Sequence, residues 1–144
     1  MGFGQAIKSG FRQYAAFDGR ATRAEFWLFF LFSVFIAAVG FGLAFIAALM
    51  TLQTADPETG DASLGGLAIH LVLLGLTALA LLTLALPLCG VWARRLHDTG
   101  RSGHWLWLAV VGLGIVPLAM ALADSERQTN RWGRDPKADE REGV

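Results

Sequence analysis

LAIHLVLLGLTALALLTLALPLCGVWA, residues 67–93, followed at once by Arg94-Arg95, is the stretch whose reading decides the fold. Its 27 residues include no Asp, Glu, Lys or Arg. A helix rises about 1.5 Å per residue and the hydrocarbon layer of a bilayer is about 30 Å thick, so a run of this length crosses it with some tilt. The two arginines end the crossing, because each would cost roughly 2.5–3.5 kcal/mol at mid-membrane. Pro87 lacks the N–H that would close its turn, which predicts a local irregularity near the end of the run.

Two further windows read the same way, 26–52 before it and 104–123 after it. The three windows hold 74 of the 144 residues and no charge, so all 24 charged side chains lie in the other 70. With 54% hydrophobic residues and a mean hydropathy of +0.48, the chain is more apolar than one soluble core requires. The first apolar run starts late and is about twice the usual signal-peptide length, so a cleaved leader is not expected. The pattern predicts an all-α membrane protein with three hydrophobic helical segments and an amino-terminal amphipathic interfacial helix. The third segment contains Gly112, Gly114 and Pro117, so it either crosses or is re-entrant. One membrane domain is expected over 1–136, with a disordered tail over 137–144.

Phe3, Ile7, Phe11 and Tyr14 recur at helical spacing with Lys8 and Arg12 between them, the pattern of a helix lying in the membrane interface or packed on its own protein. Asp18-Gly19 reads as a turn, and Thr22-Arg23-Ala24-Glu25 as a capping box that starts the first span. Within that span Ser33, Ala37, Gly40, Ala44 and Ala48 form a small-residue stripe suited to close helix approach. The loop Gln53–Gly66 has three carboxylates and no Lys or Arg, which places it on the translocated side. Three crossings put seven cations with the amino-terminal region and five on the tail's side, whereas a re-entrant third segment puts all 12 together. The expectation carried forward is three crossings with the amino terminus in the cytoplasm.

Three blocks carry a family resemblance: Phe17–Trp27 (FDGRATRAEFW), Arg94–Gly103 (RRLHDTGRSG) and Asn130–Pro136 (NRWGRDP). In this order, and spanning nearly the whole chain, they resemble the signatures of the bacterial inner-membrane family called domain of unknown function 805. The family commonly has Trp where this chain has His104, and a Gly-rich lead-in before Asn130. The resemblance implies a small multi-pass protein of the bacterial inner membrane and implies no catalytic activity.

Trp27, Trp92, Trp105 and Trp107 fall at span ends beside Lys8, Arg12, Arg20, Arg23, Arg94, Arg95 and Arg101. Indoles and cations at one interface suit anionic lipid head groups, and equally suit plain anchoring. Glu25 and Asp98 are the acids placed to pair with these arginines. The residues expected to carry interaction are therefore Arg20, Arg23, Glu25, Trp27, Arg94, Arg95, His97, Asp98, Ser102, Gly103, Asn130, Gly133 and Asp135. His97, Asp98 and His104 invite a general-base or metal reading, but neighbouring residues on a helix point about 100° apart and no further ligand is suitably spaced. Neither a catalytic residue, a metal nor a cofactor is expected. The lone Cys89 allows no internal disulfide and reads as a small packed hydrophobe. The preferred function is a non-enzymatic membrane protein whose basic and aromatic face meets anionic lipid or a membrane partner, with a homo-oligomer as one such partner and nucleic acid excluded. The rivals are a subunit of a small oligomeric transporter or channel, and an interfacial enzyme using His97 and Asp98.

Overall fold

The structure is a computed structural model, and it describes residues 1–56 and 63–138. Among these the regular elements are all helical: α1 (Phe3–Arg12), α2 (Arg23–Gln53), α3 (Leu64–Asp98), a 3-10 turn at Gly103–Leu106, α4 (Trp107–Val110) and α5 (Ile115–Ala121). At 31 and 35 residues, α2 and α3 are each longer than the roughly 20 residues a bilayer requires. They overrun the charge-free windows at both junctions with the first loop, and α3 continues unbroken through Pro87. Residues 57–62 of that loop and 139–144 of the expected disordered tail lie outside the described residues.

The chain divides into two compact units, residues 1–31 with 85–144, and residues 32–84. The second unit consists of the apolar lengths of α2 and α3. Phe35, Phe45 and Leu82 are 63%, 64% and 71% exposed there, an outward apolar surface that suits hydrocarbon and not water. Its two helices approach through the small-residue stripe. A Cβ added at Gly40 would stand 2.5 Å from Thr77 Oγ1, Ala44 is buried, and His70 Nδ1 lies 2.9 Å from the Ala44 carbonyl. Thr77 is itself tied to the Leu73 carbonyl, so the contact is between defined surfaces.

The first unit departs from expectation in its third hydrophobic segment. A single 20-residue helix does not form over 104–123: α4 has four residues and α5 seven, separated by a turn at which Gly112 adopts φ +85°. At 1.5 Å per residue the longer of them covers about 10 Å. The tail that follows packs beside the amino-terminal block, because Arg20 Nη1 donates to the Gln128 carbonyl at 2.7 Å and Arg20 Nη2 to that of Glu126 at 2.5 Å. Groups hydrogen-bonded to one side chain cannot lie on opposite faces of a membrane. The segment expected either to cross or to be re-entrant is broken into short helical pieces, and the tail that follows it packs against the amino-terminal block. Gly112, at positive φ, marks the break, whereas Pro117 sits in the first turn of α5, where its missing N–H forfeits no intrahelical bond.

Helix α1 forms where the 3.6-residue period placed it. Its buried positions are Ala6 and Gly10, while Phe3 and Phe11 are exposed. Phe11 nonetheless packs edge-on against the buried Phe29, ring centroids 5.7 Å apart, so the helix meets its own protein through one aromatic of the stripe and the small residues beside it. A Cβ at Gly10 would lie 2.3 Å from Phe29 Cε2, so glycine is what lets the Phe29 ring seat against α1.

Candidate functional site

The end of α3 organises the first unit. The last carbonyls of a helix have no partner within it and must find one elsewhere. Here nearly every segment of the unit supplies one: Ala21 N donates to Arg94 O at 3.1 Å, Arg101 N to Leu96 O at 2.9 Å, Asn130 Nδ2 to His97 O at 3.0 Å, and Glu126 N to Asp98 O at 2.9 Å. Gly100 makes the exit possible. Its φ of +76° is the left-handed conformation that closes a helix, and a Cβ there would fall 2.1 Å from Glu126 Oε1.

Arg94 and Arg95 are adjacent on α3 and so diverge around its axis, which sends them to different partners. The Arg94 side chain, 1% exposed, hydrogen-bonds the Gln13 side chain and holds Nη2 3.6 Å from Glu25 Oε1. Glu25 also accepts from Ser9 Oγ at 2.8 Å, and Gln13 Nε2 donates to Ser9 Oγ at 3.0 Å. This changes the expected capping box. Thr22 Oγ1 accepts from Glu25 N at 3.2 Å, but the Glu25 carboxylate turns away to fasten α1 and α3 to the start of α2.

The Arg95 side chain, wholly buried, points the other way. It pairs with Asp98, and it donates to the Ala121 and Ala123 carbonyls at 3.0 and 2.5 Å. Arg23 donates to the Leu122 and Ala123 carbonyls and pairs with Asp124 at 3.0 Å, while Arg101 reaches the Met120 carbonyl at 3.4 Å. Three arginines from three parts of the sequence thus satisfy the carbonyl end of α5, where the helix dipole also favours positive charge. Asp98, 0% exposed, accepts from Arg20 Nε at 2.9 Å, from Arg95 and from Ser125.

The site residues chosen from sequence therefore converge, though on one another. Arg20, Arg94 and Arg95, expected to present charge to lipid, are buried and spend it on carboxylates and carbonyls. This corrects that part of the expected basic face. Burial of these guanidiniums is offset by paired carboxylates and accepted hydrogen bonds, although Arg94 Nη2 has only the Glu25 carboxylate at 3.6 Å and no hydrogen bond of its own. Trp27 joins Phe26, Phe30 and Trp92 in an aromatic cluster with ring centroids 5.1–6.2 Å apart, and Trp92 Nε1 donates to the Pro117 carbonyl at 3.2 Å. Asn130 and Gly133 exchange two backbone hydrogen bonds, Gly133 with φ +135°, and Asp135 Oδ1 closes a turn by accepting from Lys137 N at 2.9 Å.

His97 and Asp98 point to separate partners. His97 Nδ1 lies 3.3 Å from the Gly19 carbonyl and its ring stacks on Trp132, centroids 4.4 Å apart at 8°. With every Asp98 contact directed elsewhere, these two residues do not form an acid–base pair. Among the described residues no three His, Cys, Asp or Glu side chains gather as metal ligands. Sequence reasoning missed Gln13, Ser125 and Glu126 as partners: Gln13 is a polar residue within the Phe3–Tyr14 pattern, and the other two are ordinary polar residues in a segment with no periodic signal. It also missed Trp132 as a working residue, although Trp132 lies inside the third signature block.

Beside this clasp opens a cavity of about 790 Å³. Its wall runs along α3 from the apolar Leu86 and Cys89 to His97, which has Trp132 stacked on it and Asp18, His104 and Arg131 in its electrostatic surroundings; Ser102, Leu106, Trp107 and Val110 also line it. Cys89 is exposed there and not packed as expected. Ser102 Oγ and His104 Nδ1 are 2.7 Å apart, and the Arg131 guanidinium carbon lies 3.9 Å from the centre of the Trp132 ring. Ser102 and Gly103, chosen from sequence for the turn, form part of this wall.

The same arrangement of blocks has relatives. The chain is 32% identical to the inner membrane protein YhaI of Escherichia coli strain K12 over 128 residues, covering 88% of this chain and 90% of that protein. It is 31% identical to the inner membrane protein YhaH of the same strain over 129 residues, covering 88% and 91%. No solved structure matches. The family described as protein of unknown function DUF805 matches residues 14–134, from the end of α1 to just past the Asn130–Gly133 turn. With that match over most of its length and two membrane-length helices, this chain belongs to the DUF805 family of inner-membrane proteins.

Proposed function

We propose that the unit built on the end of α3 holds membrane lipid at the interface, and that the protein acts without catalysis of its own. The observation that carries this reading is the two-ended cavity. Its volume of about 790 Å³ falls within the roughly 300–1,000 Å³ of ligand sites, and it grades from apolar side chains to charged and hydrogen-bonding ones, as a lipid does. Trp107 and Val110 on its apolar side are 69% and 74% exposed, a surface that hydrocarbon would cover. Lys8, Arg12, Arg127 and Arg131 stay exposed on the same unit, and each basic group near an anionic surface adds about 1 kcal/mol of attraction. The enzyme reading loses its general base once His97 and Asp98 are found apart.

The two long helices both cross in this reading, with the amino-terminal block, the loop after α3 and the tail together in the cytoplasm. All 12 cations of the chain then lie on that side and none in the loop between α2 and α3, which is the distribution the positive-inside rule favours.

Protein purified in mild detergent and examined by native mass spectrometry should retain lipid, and Cys89→Trp, which fills the apolar end of the cavity, should lose it. Equal retention by wild type and Cys89→Trp would refute the reading.

A further inference from the structure

Resting on that reading, we propose that the cavity selects a zwitterionic aminophospholipid, the ethanolamine head group, over anionic or choline lipids. The geometry points there because the polar end carries one carboxylate and one guanidinium. Asp18 and Arg131 both line it, both are exposed, and neither has an ion-pair partner among the described residues, each other included. Elsewhere in this unit opposite charges find each other: Arg20 and Arg95 take Asp98, Arg23 takes Asp124, and Arg94 takes Glu25. Two opposite charges left apart in one cavity are complementary to an occupant that carries both.

The chemistry of each end narrows the class. Arg131 offers a planar fork of N–H donors suited to a phosphodiester, and its stacking on Trp132 holds the fork in place. Ser102 supplies a hydroxyl beside it. Asp18 only accepts hydrogen bonds, which a primary ammonium donates and a quaternary ammonium cannot. A phosphatidylglycerol head would bring a phosphate for Arg131 but nothing cationic for Asp18. The acyl chains would leave along Leu86, Cys89 and Val110, which puts the only cysteine of the chain under the occupant.

That cysteine makes the test direct. Delipidated full-length protein is offered phosphatidylethanolamine, phosphatidylglycerol and phosphatidylcholine with identical acyl chains, and two quantities are read: bound lipid by native mass spectrometry and the rate of Cys89 alkylation by a maleimide. Phosphatidylethanolamine should be retained about fivefold over either competitor, the ratio one exposed ion pair supports, and should slow alkylation most. Asp18→Asn, which keeps a turn-forming residue before Gly19, should bring the three lipids to within twofold of one another. Arg131→Gln should weaken all three and speed alkylation. Preference for phosphatidylglycerol or phosphatidylcholine, or unchanged selectivity in Asp18→Asn, would overturn the head-group assignment while protection of Cys89 by some lipid upheld the lipid-holding reading. Protection by none of the three would overturn both.

Discussion

Replacing Asp98 by alanine should unfold the interfacial unit more readily than any other single truncation of a charged group. The carboxylate is 0% exposed and serves two guanidiniums whose side chains are 1% and 0% exposed, with the Ser125 hydroxyl as a third donor. Truncation leaves Arg20 and Arg95 buried with carbonyl oxygens as their remaining acceptors. Breaking a buried pair in this way costs about 3–5 kcal/mol, because the stranded charge keeps its desolvation penalty. Total stabilities are about 5–15 kcal/mol, so this is a large fraction. At roughly 3 °C per kcal/mol for a chain of this size, the unfolding midpoint should fall by about 10–15 °C. The measurement is tryptophan fluorescence on heating in detergent, since Trp92 and Trp132 both pack within the unit. Asp98→Asn, which keeps an acceptor but not the charge, should lose less. The triple change Arg20→Met, Arg95→Met, Asp98→Leu should recover much of the loss if the penalty is electrostatic. An Asp98→Ala midpoint within 2 °C of wild type would refute the argument.

Further outcomes follow from the same geometry. A reporter placed after Ala138 should read as cytoplasmic, as should one before Phe3, while one in the loop between α2 and α3 should not; opposite readings for the first two would restore a third crossing. Gly100→Ala should lower the midpoint of the interfacial unit, since it places Cβ 2.1 Å from Glu126 Oε1 at a φ of +76°, strain worth about 1–3 kcal/mol; an unchanged midpoint would show that Glu126 swings away freely. Gly40→Val should reduce the yield of folded protein in membranes, because Thr77 Oγ1 stands 2.5 Å from the new Cβ and overpacking costs about 1–3 kcal/mol. Gly42→Val, with open space at its Cβ, is the control that should fold normally.

The sequence made two long helices legible because the membrane imposes a simple rule: 27 uncharged residues bounded by Arg94-Arg95 leave few other options. The helix over Phe3–Arg12 was legible from its period, although the face that packs was not. Ala6 and Gly10 are buried beside Phe11 because close approach rewards small residues, a property that hydropathy does not register. The third segment, read as either a crossing or a re-entrant piece, was left open for a related reason. Composition reports how apolar a run is, whereas Gly112 and the hydrogen bonds that Arg20 makes to the tail decide where it goes. The site residues fell in the signature blocks, but their partners Gln13 and Glu126 are long-range, and sequence spacing says nothing of a contact 81 or 106 residues away.

The fate of the arginines bears on how such a protein meets the bilayer. Counting cations treats each as a charge offered to head groups, yet Arg20, Arg94 and Arg95 are consumed inside the fold. Within the fold Arg94 pairs with Glu25, Arg20 and Arg95 pair with Asp98, and Arg95 also satisfies carbonyls at the end of α5. The folded unit therefore presents fewer free charges than its composition suggests. Long-range attraction to anionic membranes should accordingly change little when Arg95 is replaced by methionine, while the unfolding midpoint falls. Arg12→Gln, at an exposed position on α1, should do the reverse. A loss of anionic-lipid association in Arg95→Met at temperatures where the fold persists would mean that the buried arginine still acts on the surface, and that the division between clasp and lipid-facing charge is misplaced.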